Sequence, residues 1–265
     1  KNALHTGIHQ AKHQFILSID ADCTVHPDLL SLYNAKLLED PDLLFIAGGV
    51  IFNTRKSILG YFQALDMLSL MAVTASGIAS QKYYLANGAN MCFDKASFLQ
   101  LGAFKNNEQY ASGDDVFLIN SIKTTFGNEK IAFLKSRRAA VTTQSVDTWK
   151  AFVNQRFRWA SKTDDFANAN LLTIQGSVLG IHMYVILLII MSIFLPVTLF
   201  YALLVILIKG IIDFLFLNRM SHFYKIQWAL KGFLPTTFIY YPYIIFTSFA
   251  ALVKGKYEWK GRSVK

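Results

Sequence analysis

From Phe166 to Ile208 the sequence runs for 43 residues without an Asp, Glu, Lys or Arg. A helix crosses a bilayer with about 20 apolar residues, so this stretch, mostly apolar from Ser177 on, has room for two crossings. A second uncharged run, Gly232 to Val253, is 22 residues long. The chain therefore reads as a soluble-type domain, residues 1–165, followed by a membrane region, residues 166–265. Charge divides at the same place. Residues 1–165 carry 17 Lys+Arg against 15 Asp+Glu, and residues 166–265 carry 9 against 2. Positive charge gathered beside apolar segments fits anionic lipid and the positive-inside rule, and argues against nucleic acid as a partner.

Pro196 divides the long run into segments 177–195 and 197–217, the pattern of a tight hairpin. Residues 232–253 form a third segment, which Pro235 and Pro242 should bend. The second segment carries Lys209, with Asp213 four residues on and on the same helical face, where the two can pair and offset part of the cost of burying charge. Three crossings would put the basic loop (Arg219, Lys225, Lys231) and the basic tail (Lys254, Lys256, Lys260, Arg262, Lys265) on opposite sides. The positive-inside rule disfavours that, so either the last segment re-enters or one of the first two does not cross. Residues 222–231 read as a short amphipathic helix in the interface, and His182 as a packed polar residue rather than a ligand.

The soluble part alternates. FILSID reads as a strand, PDLLSLYNAKLLED as a helix opened by Pro27, and LLFIAGGVIF as a second, buried strand. Then come a long apolar helix (SILGYFQALDMLSLMAV, whose Met and Phe residues read as core), a strand near YYLANGANMCF and a short helix, ASFLQL, stopped by Gly102. A loop over 104–113 leads to the helix DDVFLINSIKTTFG, strands around KIAFL and AAVTT, and the helix TWKAFVNQRFRWASK. Strands alternating with helices predict an α/β domain with a largely parallel sheet, whose ligands bind at the carboxyl ends of strands. The two cysteines, Cys23 and Cys92, form neither a disulfide framework nor a metal-finger spacing. The opening KNALHTGIHQAKHQ has the look of the middle of a domain.

Three constellations carry chemistry. Asp20 and Asp22 end a hydrophobic strand with one residue between them. Such a pair can hold a hard divalent cation whose shell phosphates complete, although alone it reads more readily as a solvated turn. Asp114 and Asp115 open a helix, where acids are favoured by capping and by the dipole. A carboxylate there can also act as a general base. Gln155, Arg158 and Trp159, spaced i, i+3, i+4, present an amide, a guanidinium and an indole on one helical face. That face suits a pyrophosphate and a sugar ring, and it equally suits an interfacial aromatic and basic belt before a membrane segment.

In order along the chain, DAD, NGANMCFDKASFLQLGAF, SGDD and QRFRW resemble the motifs of the family 2 inverting glycosyltransferases, especially the membrane-bound branch with a Q-x-x-R-W motif. The resemblance runs from Lys1 to about Lys162 and weakly to YEWKGR in the tail. It implies a GT-A nucleotide-sugar-binding domain, lacking its first βαβ unit, followed by transmembrane helices. Asp20 and Asp22 then match the D-x-D motif that holds a nucleotide-sugar diphosphate through Mg²⁺ or Mn²⁺, with Asp22 the direct metal ligand. Asp115 matches the catalytic base, and Asp114 the supporting position before it. Gln155, Arg158 and Trp159 match the motif lining the donor diphosphate and the acceptor end. Gly88, Ala89 and Asn90 fall in the loop that borders sugar and acceptor.

The implied partners are a nucleotide diphosphate sugar, with a uridine before a guanosine donor, a lipid or glycan acceptor, and the membrane. The implied setting is integral to a membrane, the bacterial inner membrane, with the catalytic domain in the cytoplasm. The family's usual nucleotide-base-binding strand has no counterpart in this sequence, so weak nucleotide binding by this chain alone is expected. No clear match to the gating-loop motif of polymer-forming members is present, which favours single sugar transfer over processive synthesis. The alternative from another class is an inactive membrane scaffold.

Overall fold

The structure, a computed structural model, describes residues 2–102, 113–160, 169–252, 257–259 and 262–264. Most of the loop expected over 104–113, the expected domain border at 165/166 and most of the basic tail lie outside the described residues. The chain forms two compact units. One comprises residues 1–53 and 70–145, the other residues 54–69 and 146–265.

In the first unit, a helix α1 (Asn2–Gln10) leads to β1 (Phe15–Ile19), α2 (Leu29–Glu39), β2 (Phe45–Ala47) and β3 (Val50–Asn53). The long helix α3 (Ile58–Ala79) begins in the second unit and ends in the first. Then follow β4 (Asn90–Asp94), α4 (Lys95–Leu101), α5 (Asp114–Phe126), β5 (Ile131–Phe133) and β6 (Val141–Gln144). The expected strand 43–52 is two strands. Gly48 and Gly49 break it, and β2 and β3 pair in different sheets. A Cβ on Gly48 would stand 2.3 Å from Asn90 Nδ2 and 2.4 Å from the Tyr33 hydroxyl, so only glycine fits that crossing point.

The main sheet has the order β1-β4-β2-β5. β4 runs antiparallel to both neighbours, and only β2 and β5 pair in parallel. The expectation of a largely parallel sheet is therefore corrected to a mixed one. The reason lies in α3: instead of crossing back over the sheet, it leaves from the carboxyl end of the strands, and the chain re-enters at that same end, with Asn90 opposite Ile19. β3 and β6 form a separate parallel pair.

β4 is buried along its whole length, as its central place requires. Its Met91 and Phe93 share a core with Phe45, Phe98, Leu118, Ile119, Ile122 and Ile131. Each large side chain so buried stabilises the fold by about 1.5–3 kcal/mol. Capping follows the sequence more closely. Asp94 accepts from the Ser97 amide at 2.7 Å to start α4, and Gly102, at φ 55°, ends it in the left-handed region. α2 begins at Leu29, two residues after Pro27, because the Asp28 amide donates to His26 Nδ1 in a local turn.

The second unit contains α6 (Trp149–Ala160), α7 (Ala169–Met191), α8 (Val197–Tyr224), α9 (Phe233–Leu252) and a strand pair, β7 (Tyr257–Trp259) with β8 (Arg262–Val264). α7 and α8 pack together as a hairpin turning over residues 192–196, where the Thr198 hydroxyl donates to the Leu188 carbonyl. Lys225, left-handed at φ 56°, ends α8, and a 3-10 run, Gln227–Gly232, replaces the amphipathic helix expected over 222–231. Among the described residues three helices are long and apolar enough to cross a membrane: α3, α7 and α8. Protein covers 61% of the apolar window of α3, against 17% and 6% for α7 and α8, so the latter two leave the larger apolar surface for lipid.

Lys209 and Asp213 pair along α8, and Lys209 Nζ lies 5.7 Å from the Tyr240 ring. His182 is packed: Nδ1 is 2.6 Å from the Val178 carbonyl and the ring stacks 4.8 Å from Tyr241.

Candidate active site

The site begins at the end of β1. The Asp20 carbonyl accepts from the Cys23 amide at 3.0 Å, turning the chain so that Asp20 and Asp22 stand exposed beyond the strand. Thr24 pairs with Thr142 through two backbone bonds of 2.7 and 2.9 Å, and the Thr143 hydroxyl donates to Asp22 Oδ2 at 3.3 Å. The turn is thus held against β6 while the carboxylates stay open to solvent. Burial first, then the charges of Asp20 and Asp22, push the Cys23 thiol up from its ordinary value. Both carboxylates thus act on one neighbouring group.

Asp115 reaches the same end of the sheet from α5. The Gly88 amide donates to its Oδ2 at 2.8 Å and the Val116 amide to its Oδ1 at 2.9 Å. The Ser18 hydroxyl donates to the Gly88 carbonyl at 3.1 Å. Gly88 therefore links the end of β1 to the first turn of α5. Asp114 sits beside Asp115 in that first turn, which Gly113 opens at φ 106°.

Ala89 and Asn90 are structural in their contacts. The Ala89 amide donates to Asn87 Oδ1 at 3.1 Å. Asn90 is fully buried: Nδ2 donates to the carbonyls of Gly49 and Ala139, each at 2.8 Å, and Oδ1 accepts from Tyr33 at 2.8 Å. Its side chain fastens β2, β4, α2 and the approach to β6, so its amide is spent on protein. Burial pushes the Tyr33 hydroxyl up and the Cys92 thiol up to about 12, which keeps both neutral in the core.

The third constellation lies in the second unit, on α6. The Gln63 amide bonds both ways to the Val146 backbone, at 2.9 and 3.1 Å, and anchors the approach to α6. Phe152 packs edge-on against Phe62 at 5.5 Å. Gln155, Arg158 and Trp159 are all half-buried. Sequence reasoning passed over the residue between them that the fold buries most. Arg156 is 4% exposed and pairs with Asp66 of α3, also 4% exposed, at 2.6 Å. The available signal was Asp66 itself, the one charge in a 22-residue apolar helix, which had to find a partner.

Hard carboxylate oxygens in a solvent-open turn suit Mg²⁺ or Mn²⁺. Among the described residues no group of three His, Cys, Asp or Glu side chains could hold a metal alone. The two carboxylates fit a cation whose remaining ligands come from phosphate and water.

A mixed α/β domain thus carries Asp20, Asp22 and Asp115 at one end of its sheet, and long apolar helices follow in the chain. The sequence model for glycosyl transferase family group 2 matches residues 15–251, and the chain belongs to that family. Three poly-beta-1,6-N-acetyl-D-glucosamine synthases of Staphylococcus aureus, from strains COL, MSSA476 and MRSA252, are each 28% identical to it over 102 residues. The match covers 38% of this chain and spans a quarter, 25%, of the length of those relatives.

Proposed function

We propose that the chain is the catalytic and membrane part of an inverting, metal-dependent glycosyltransferase. It moves a sugar from a nucleotide diphosphate donor, a uridine before a guanosine nucleotide, to a lipid or membrane-proximal glycan acceptor. The observation that carries this reading is the link Ser18–Gly88–Asp115, which ties a candidate base to the strand that ends in Asp20 and Asp22. In this reading the first unit is a GT-A domain facing the cytoplasm of a bacterial cell. Asp115 accepts the proton of the acceptor hydroxyl as that oxygen bonds to the anomeric carbon and the bond to the diphosphate breaks. A single displacement inverts the centre and needs one base. Asp22, with Asp20, would hold Mg²⁺ or Mn²⁺, which would supply positive charge to the departing diphosphate. By the motif they match, Arg158 would serve a diphosphate with its guanidinium, and Gln155 and Trp159 would serve the acceptor end. Asp114 and Gly88 support Asp115, Ala89 shapes the loop, and Asn90 fixes that loop from behind.

A second reading, processive synthesis, is favoured by the polymer named in the relatives' description. That name also makes UDP-N-acetylglucosamine the first donor to assay. The test is uridine diphosphate release from UDP-N-acetylglucosamine in membranes holding the full-length protein, with and without Mn²⁺, compared with a guanosine diphosphate sugar. Asp115→Asn is expected to lower turnover at least about a hundredfold while donor binding persists. Unchanged release in that variant would remove Asp115 from the chemistry, and an unchanged cellular function would favour the scaffold. Product length separates the two enzymatic readings: one added sugar marks transfer, a ladder marks synthesis.

A further inference from the structure

The buried pair Asp66–Arg156 has more contacts than an ion pair needs. The Arg156 guanidinium lies 4.1 Å from the centre of the Trp159 ring on one turn of α6 and 4.7 Å from that of Phe152 on another. Its Nη1 donates to Gln155 Oε1 at 3.3 Å, and Tyr243 of α9 stands beside the pair. One planar cation, fixed at its far end by Asp66, thus touches two of the three residues expected to meet substrate. A buried ion pair is poor evidence of added stability, because desolvation offsets the attraction. What a guanidinium offers over an apolar filler is a rigid plane that stacks on an indole and a fork that orients an amide.

We infer that Asp66 and Arg156 are positioning residues, which hold the Trp159 indole in the orientation that engages the acceptor end. The inference rests on the transferase reading, which gives Trp159 that role. Neither member of the pair touches substrate: both are closed off from solvent, and they act through their neighbours. Arg156→Lys keeps the charge and the partner but removes the plane over Trp159. A double variant, Asp66→Leu with Arg156→Met, removes both charges at similar volume and leaves no buried charge unpaired.

The test compares kcat/KM for UDP-N-acetylglucosamine turnover in the full-length protein, with each change made in the wild-type background and in Trp159→Ala. A positioning role predicts that Arg156→Lys melts like the wild type and lowers kcat/KM on the order of tenfold, in keeping with the steep cost of misplacing an oriented group. In the Trp159→Ala background the same change should alter kcat/KM less than about twofold, because the indole it positions is gone. The double variant should follow the same pattern. Wild-type kcat/KM in Arg156→Lys overturns the inference. So does a loss of equal factor in both backgrounds, the mark of independent effects. If Arg156→Lys does not fold, the double variant is read by the same criteria, and loss of fold in both makes the pair structural and overturns the positioning role. An inactive wild type refutes the transferase reading itself, whereas an active wild type with unaffected variants refutes only the pair.

Discussion

Asn90 shows how one side chain can hold a site without entering its chemistry. Both ends of its amide are used, on the carbonyls of Gly49 and Ala139 and on the Tyr33 hydroxyl. A buried polar group left unpaired costs about 1–3 kcal/mol. Tyr33→Phe removes one partner and should destabilise the first unit by about 1–2 kcal/mol. Asn90→Ala strands two carbonyls and a hydroxyl, so it should cost more, about 3 kcal/mol or above. Thermal melts in detergent check both, and equal losses in the two variants would mean that the carbonyls find water instead. Nothing in the motif NGAN distinguishes Asn90 from a ligand-facing residue. Its burial is set by a tyrosine 57 positions earlier and by carbonyls from two other strand ends, and contacts of that range leave no local trace. Asp115 is the opposite case: its place at the start of a helix opened by glycine was legible from SGDD alone, because capping and turn geometry are local.

Among the elements, the break at Gly48 decides the architecture. Here the chain passes from β2 in one sheet to β3 in another, against Asn90 and Tyr33. Gly48→Ala places a methyl within 2.3 Å of Asn90 Nδ2, behind which lie hydrogen-bonded carbonyls, and should cost about 3 kcal/mol or more. Gly88→Ala is the control. Its Cβ would meet Asp115 Oδ2 at 3.7 Å, an ordinary contact, so this variant should fold like the wild type. A Gly48→Ala protein that melts with the wild type would show that the crossing point can open. The sequence offered GG inside an apolar run, and periodicity alone reads such a run as one strand. Strand direction was hidden for a related reason. Helix and strand alternate in the sequence whether a helix recrosses the sheet or, like α3, carries the chain away and returns it to the end it left. The lengths and termini of α4 and α5 were legible because Asp94, Gly102, Gly113 and the apolar periodicity act within a turn or two.

For the whole molecule, the two long helices with little protein cover govern what surrounds it. α7 and α8 have apolar windows of mean hydropathy 2.0 and 2.3, and protein buries 17% and 6% of them. If both cross a bilayer, the chain after α8 returns to the side on which α7 began. The basic residues Arg219, Lys225 and Lys231 follow that second crossing, and basic loops remain in the cytoplasm. If α3, the best covered of the three, does not cross, the residues before α7, Asp20 and Asp115 among them, share that side. The pair Lys209–Asp213 lies within the second crossing, and an unpaired charge there costs on the order of 2.5–3.5 kcal/mol on insertion scales. Lys209→Leu alone should therefore lower the amount of protein in the membrane, and Lys209→Leu with Asp213→Leu should restore it. Orientation is read separately, by an impermeant maleimide on His222→Cys, an exposed position near the end of α8, after Cys23→Ser and Cys92→Ala remove the native thiols. Labelling in inverted vesicles and not in intact cells is the expected result. Labelling of intact cells would put the loop after α8 outside, break the two-crossing hairpin, and remove the physical ground for a cytoplasmic catalytic domain.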